Sequence, residues 1–268
     1  MMRAAIVAAA MGLAAATAQA QGAREGDVVV FAAGSLRSAM TEVAKAFEAK
    51  DAGTSVKLVF GPSGLLKDRI AGGERADVFA SANMAHPEAL AAAGKASPVQ
   101  RFTRNALCAL VAPQVNVTPE TLVDRMLDPA IKLGTSTPKA DPSGDYAVKM
   151  FERVEQQGRT GAFSALNGKA LHLTGGPNSP PPPKDKSVYG VLVAEGKADI
   201  FITYCTNTLI AVAEQPGLKS VAIPDAINVG ADYGVAVVGT AAAAKRFVDF
   251  LLGPQGQAIL THQGFAPR

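Results

Sequence analysis

The chain contains no tryptophan, and histidine and cysteine are scarce: His86, His172 and His262 stand far apart, and Cys108 and Cys205 are the only thiols in 268 residues. The histidines share no ligand spacing. That excludes a Cys/His zinc site and leaves no His cluster for acid–base work. Charge is sparse too, at 18% of residues. Its 26 Lys and Arg against 23 Asp and Glu give a net +3 with no run of one sign. A nucleic-acid-binding surface therefore has no basic footprint. The 48% hydrophobic content in turn excludes a disordered chain. Nucleotide motifs are absent as well: no G-x-G-x-x-G follows a strand, and no G-x-x-x-x-G-K-[ST] loop occurs.

What is present begins with a targeting segment. Arg3 supplies a positive start, residues 4–16 are apolar, and Ala18-Gln19-Ala20 is an A-x-A cleavage pattern. This predicts a secretory signal peptide over residues 1–20, cut after Ala20, and an exported bacterial protein. The apolar run is Ala-rich and short of the roughly 20 residues of a membrane span. Export permits a disulfide. Two distant cysteines make no framework, however, and each sits by an apolar run where it reads equally well as a small buried residue. Their pairing stays open at this stage.

The rest of the chain alternates strands and helices. Short apolar runs at 28–32, 56–60, 77–80, 106–111, 131–133, 200–204 and 233–239 read as strands. Helical spacing follows several of them, as in Leu36, Ala39, Met40, Val43, Ala44 and Phe47. Further helices are expected from Thr118, over 146–156, over 188–195, and over 241–252 with a stop at Gly253-Pro254. The class is α/β with largely parallel sheets. Gly175 to Lys186, with Pro177 and Pro180 to Pro183, reads as a loop of polyproline character and, at its plainest, a surface insertion.

Three polar turns lie between a strand and a helix start: Ala33-Gly34-Ser35, Gly61-Pro62-Ser63-Gly64 and Asp141-Pro142-Ser143-Gly144. A helix start offers unpaired N–H groups and a positive dipole end, and a serine adds a hydroxyl donor. Such turns suit anions, although each serine can equally cap its own helix. Catalytic motifs fail on inspection. Gly61-Pro62-Ser63 lacks the second glycine of a nucleophile elbow, and Pro138 spoils the helix that Ser136-Thr137-Pro138-Lys139 would need. No enzymatic activity and no resident cofactor or metal is expected.

These residues carry a resemblance. Val29-Val30-Phe31-Ala32-Ala33-Gly34-Ser35-Leu36, Phe60-Gly61-Pro62-Ser63-Gly64-Leu65 and Ala76-Asp77-Val78-Phe79-Ala80-Ser81-Ala82 resemble, in order and spacing, the periplasmic molybdate-binding proteins of ABC importers. The segment Asp141 to Ala147, the strand ending at Tyr204, and Phe247 to Phe265 are similar to later motifs of that family. The resemblance implies a type II periplasmic solute-binding fold: two lobes, each a mixed, mostly parallel sheet flanked by helices, with a double crossover between them and the ligand in the cleft. Lobe I is expected at 27–108 plus 233–268 and lobe II at 109–232, with crossings near 105–113 and 227–235.

By motif position the resemblance implies Ser35, Ser63, Ser143 and Tyr204 as ligand-binding residues, with a backbone N–H near Lys186. It implies periplasmic capture of molybdate or tungstate, a membrane permease partner and a monomer. Hydroxyl and N–H donors satisfy a deprotonated tetrahedral dianion without a counter-charge. The sequence departs from the family at Cys205-Thr206-Asn207-Thr208, at Ser143, and at Lys186, where a small or apolar residue is expected. Two alternatives stay open: the same fold binding a sulfate-like anion or small carboxylate, and, in another class, a secreted hydrolase using Ser63.

Overall fold

A computed structural model describes residues 27–268, and the signal-peptide expectation for residues 1–20 lies outside them. The chain opens with β1 (Asp27–Ala33), a single 3-10 turn over Gly34–Leu36, and α1 (Arg37–Lys50). There follow β2 (Ser55–Gly61), α2 (Ser63–Ala71), β3 (Val78–Ser81), α3 (Ala85–Ala92) and β4 (Gln100–Asn105). One residue later the chain enters a second unit. That unit comprises β5 (Leu107–Val111), α4 (Leu122–Leu127), β6 (Leu133–Ser136), α5 (Pro142–Gln156), α6 (Ala162–Lys169), β7 (Leu171–Thr174), α7 (Val188–Ala194), β8 (Ile200–Tyr204), α8 (Cys205–Glu214) and β9 (Lys219–Ala222). It returns to the first through β10 (Ala231–Val237), α9 (Ala242–Leu252) and α10 (Pro254–His262).

Two five-stranded sheets result, ordered β2-β1-β3-β10-β4 and β7-β6-β8-β5-β9. In the first, β10 runs antiparallel to both its neighbours while β2, β1 and β3 pair in parallel. In the second, β5 plays the same part. The opposed strand in each sheet is the one that has just crossed from the other. Parallel pairing needs a long crossover, usually a helix, and a strand arriving from the other sheet has none. Sequence order thus explains the mixed sheets.

The central strands are continuous apolar runs because helices cover both faces. Every residue of β5, from Leu107 to Val111, is buried. In lobe I, Phe47 of α1 meets Phe247 and Phe250 of α9 edge-on at 5.3 and 5.7 Å, which anchors the C-terminal helices beneath the first sheet.

The sheets divide two residues away from the expected boundaries. Leu107 and Cys108 pair in the second sheet, and Ala231 and Asp232 in the first. The two crossings lie side by side: Asn228 accepts from the Leu107 N–H at 3.2 Å and donates to the Leu107 carbonyl at 3.0 Å.

Other expectations need correction. The helix expected from Thr118 starts at Leu122, because Thr118 to Thr121 form a turn closed by the Thr121 hydroxyl. Gly253-Pro254 ends α9 at Leu252 as expected, and what the expectation lacked is α10, whose first turn holds Pro254 where its missing N–H costs nothing. Strands β4, β7 and β9 and helices α6, α8 and α10 carried no recognised signal. Cys108 and Cys205 form a disulfide, with 4.7 Å between their Cα atoms, so the reading of two independent buried residues is replaced. The bond ties β5 to the start of α8, directly after Tyr204. Among the described residues, no helix is long and apolar enough to cross a membrane.

Candidate binding cleft

Between the lobes lies a cavity of about 1120 Å³. Its lobe I wall carries Ser35, Phe60, Ser63 and Ala82, and its lobe II wall carries Asp141, Lys186, Tyr204 and Asn207. The turn after β1 places Ser35 and the turn after β2 places Ser63, both at the carboxyl ends of parallel strands, where open α/β sheets bind ligands. The lobes touch across it. The Gly64 N–H donates to the Ala140 carbonyl at 2.9 Å. A side chain at Gly64 has no room, since a Cβ there would lie 2.5 Å from the Lys139 carbonyl oxygen.

The inner end of the cleft is organised around Ala82. Its N–H donates to the Ser63 hydroxyl at 3.1 Å, and its carbonyl accepts from Tyr204 at 3.5 Å, the long limit of such a bond. One residue thus brings a hydroxyl of each lobe to the same place. Ser63 is an acceptor in its bond, so its own proton is uncommitted. The Tyr204 hydroxyl, committed only to that long bond, is equally available as a donor.

Ser35 joins through a tyrosine that sequence reasoning missed. The hydroxyls of Ser35 and Tyr233 lie 2.9 Å apart, and the rings of Tyr233 and Tyr204 are 5.6 Å apart. Asn105 donates to Tyr233 at 3.4 Å and to Thr206 at 2.9 Å, which carries the network through the crossing into α8. Tyr233 is the third residue of β10, before a run of small and apolar residues. A fully buried tyrosine that must find a hydroxyl partner was the only available signal. Burial holds the phenols of both Tyr204 and Tyr233 well above their usual pKa, so both stay neutral donors.

Ser143 is not brought to the cavity. It is fully buried one layer below, its hydroxyl donating to Thr203 at 3.4 Å, because α5 starts at Pro142 and carries Ser143 inside its first turn. The turn expected over Asp141 to Gly144 is therefore a capped helix start: the Asp141 carboxylate accepts from the Ser143 N–H at 3.0 Å. Asp141 itself faces the cavity and is otherwise enclosed by protein. That burial pushes its carboxyl from 3.8 up to about 6, against the lowering effect of the Ser143 N–H. Gly175, at φ +79°, lets the backbone pass it, since a Cβ there would sit 2.6 Å from the carboxylate.

Lys186 is exposed at the outer mouth, and none of the ion pairs among the described residues uses it. Pro180 to Pro183 line the same mouth, so the proline-rich segment is a wall of the cleft rather than a detached surface insertion. No histidine lines the cavity to serve Ser63 as a base. Among the described residues, no group of three or more His, Cys, Asp or Glu side chains is placed to hold a metal ion.

Comparison with known proteins agrees with this architecture. Residues 28–266 match the family described as bacterial extracellular solute-binding protein. The chain is 37% identical over 240 residues to the uncharacterized protein PM1146 of Pasteurella multocida, covering 89% of this chain and 98% of that protein. It is 31% identical over 255 residues to the molybdate-binding protein ModA of Escherichia coli, covering 91% and 90%. Among solved structures, the sulfate-binding protein SubI of Mycobacterium tuberculosis superposes with a TM-score of 0.75 at 19% identity, over 90% of this chain and 86% of that one. The periplasmic molybdate-binding protein of Azotobacter vinelandii does so with a TM-score of 0.72 at 20% identity, over 90% and 99%. These similarities at low identity establish the two-lobed α/β fold.

Proposed function

The chain belongs to the bacterial extracellular solute-binding protein family, and from that membership we propose that it captures a tetrahedral oxyanion in the periplasm and delivers it to an ABC permease. The observation that carries this reading is the meeting of Ser63 and Tyr204 on the two backbone groups of Ala82, with Ser35 joined through Tyr233. Each hydroxyl has a proton to give, and the buried residues around them carry no positive charge. A dianion that accepts hydrogen bonds and donates none fits such a site. Charge-assisted bonds of this kind are stronger than neutral ones and dispense with a counter-ion.

Molybdate and tungstate come first as ligands, supported by the molybdate-binding relatives and by the three motifs of lobe I. Ser35, Ser63 and Tyr204 donate directly. Ser143 holds Thr203 and the floor of the cleft, and Lys186 stands at the entrance. The lobes, 27–106 with 231–268 and 107–230, close on the anion about the paired crossings, and the protein acts as a monomer because its cleft edges must meet the permease.

A sulfate-like anion is the second reading, favoured by the similarity to the sulfate-binding protein. A thermal-shift panel of molybdate, tungstate, sulfate, phosphate and acetate tests both. A ligand at 100 times its dissociation constant stabilises by about 2.7 kcal/mol. Molybdate and tungstate are expected to give the largest shifts. A shift from acetate alone would overturn the oxyanion reading.

A further inference from the structure

The cavity has far more room than a bare oxyanion needs. Its volume of about 1120 Å³ slightly exceeds the roughly 300–1,000 Å³ typical of clefts for organic ligands. A tetrahedral oxyanion displaces only a few waters at about 30 Å³ each. Lobe closure does not consume the difference, since Gly64 and Ala140 are already in hydrogen-bond contact.

The spare volume has its own chemistry. On lobe I, the Arg37 guanidinium stacks over the Phe60 ring at 4.5 Å, and both residues line the cavity. A guanidinium held over an aromatic face can still offer N–H donors to a planar anion. On lobe II, Pro180 to Pro183 and Val188 supply an apolar wall opposite, with Lys186 beside them. No ion pair among the described residues engages Arg37. The acidic neighbours are occupied elsewhere: Glu42 accepts from Gln263 at 2.9 Å and Glu214 from the Ser187 N–H at 2.6 Å. Asp185 sits on the far side with Lys184 and Lys186 next to it in the chain. Ser35 and Arg37 both line this cavity, Ser35 in the 3-10 turn and Arg37 at the start of α1.

We infer that the cleft is bipartite and takes, besides a bare oxyanion, ligands with an organic body: a tetrahedral phosphoryl or phosphonyl head joined through a short spacer to a carboxylate. The head occupies Ser35, Ser63 and Tyr204, the spacer lies between Phe60 and the prolines, and the carboxylate meets the Arg37 fork, a bidentate pairing that Lys cannot reproduce. This rests on the oxyanion reading of the inner cleft and extends it outward.

Calorimetry with three probes separates the two. On the parent protein, phosphonoacetate is expected to bind at least tenfold tighter than methylphosphonate, which has the head and no carboxylate. Arg37→Gln removes that gap, weakening phosphonoacetate at least tenfold more than it weakens methylphosphonate or molybdate. Ser63→Ala weakens all three. Equal affinity for the two phosphonates, or a gap that survives Arg37→Gln, overturns the bipartite cleft while bound molybdate keeps the oxyanion reading intact. Failure of all three probes to bind the parent overturns both.

Discussion

The two walls of the cleft are built on the same plan and finished differently. Each rests on a five-stranded sheet whose only reversed strand is the newly crossed one. Lobe I contributes hydroxyls at strand–helix turns, Ser35 and Ser63, with backbone N–H groups around them. Lobe II spends the equivalent turn on a capped helix, burying Ser143 and turning the Asp141 carboxylate to the cavity, and it adds a proline-rich segment at the mouth. The contrast shows that a shared topology fixes where a cleft lies, whereas the cap residue and the inserted loop decide what it presents to an anion. On the proposed reading, lobe I supplies two of the hydroxyl donors and the Arg37 guanidinium, and lobe II the Tyr204 phenol and the wall at the mouth.

The largest way to break this asymmetry is the disulfide, which only lobe II possesses. Cys108 and Cys205 close a loop with a sequence separation of 97. The double change to alanine is expected to cost about 4 kcal/mol. Chemical denaturation under oxidising conditions measures it. A loss under 1 kcal/mol would mean that the β5–α8 junction holds without the bond.

Next comes the carboxylate. The Asp141 pKa is raised on folding, from 3.8 to about 6. Below pH 4 both folded and unfolded forms are protonated and no penalty arises. As pH rises through 4 to 6 the unfolded chain releases its proton first, and above 6 the folded protein must hold a buried negative charge, a penalty of at most about 3 kcal/mol. Asp141→Asn keeps the helix cap. The variant should therefore gain on the parent in melting temperature as pH increases from 4 to 7. A constant difference would contradict the buried-charge account.

Gly64→Ala gives a smaller effect and sharpens the picture of closure. The new methyl would press on the Lys139 and Ala140 carbonyls of the other lobe. Overpacking costs roughly 1–3 kcal/mol, here charged to the closed form, so affinity falls about tenfold to a hundredfold while the unliganded melting temperature barely moves. Small-angle scattering should show ligand-induced compaction in the parent and less in the variant. Smallest of all is Lys186→Ala, exposed at the mouth. Its effect on molybdate affinity should be slight and vanish in high salt.

How much of this could be read from sequence follows the same division. β1, β2 and β3 are apolar runs, the first two ending in Gly-Ser and Gly-Pro-Ser turns, and local pattern alone places Ser35 and Ser63 correctly at strand ends. Strand β4, Gln100–Asn105, was invisible because its exposed positions are polar and its register is set by β10, far along the chain. Tyr233 escaped for a related reason: its role comes from a crossing that returns it beside Ser35. Ser143 lies below the cavity wall because the Asp141 cap starts α5 at Pro142 and the Ser143 hydroxyl meets Thr203 of a distant strand, a contact that no local pattern announces. The disulfide could not be read from two distant cysteines. The pairing of β5 with β8 is what brings them together.

The central claim is that neutral hydroxyl donors of lobe I hold a tetrahedral anion in the cleft. It is tested most directly by titrating molybdate calorimetrically into the parent and into the Ser35→Ala/Ser63→Ala double variant. Hydrogen bonds to a charged group contribute about 1.5–3 kcal/mol each, and a factor of ten in affinity corresponds to about 1.4 kcal/mol. The account predicts one site per chain in the parent and at least a hundredfold loss in the double variant. Parent-like affinity in the double variant would contradict it.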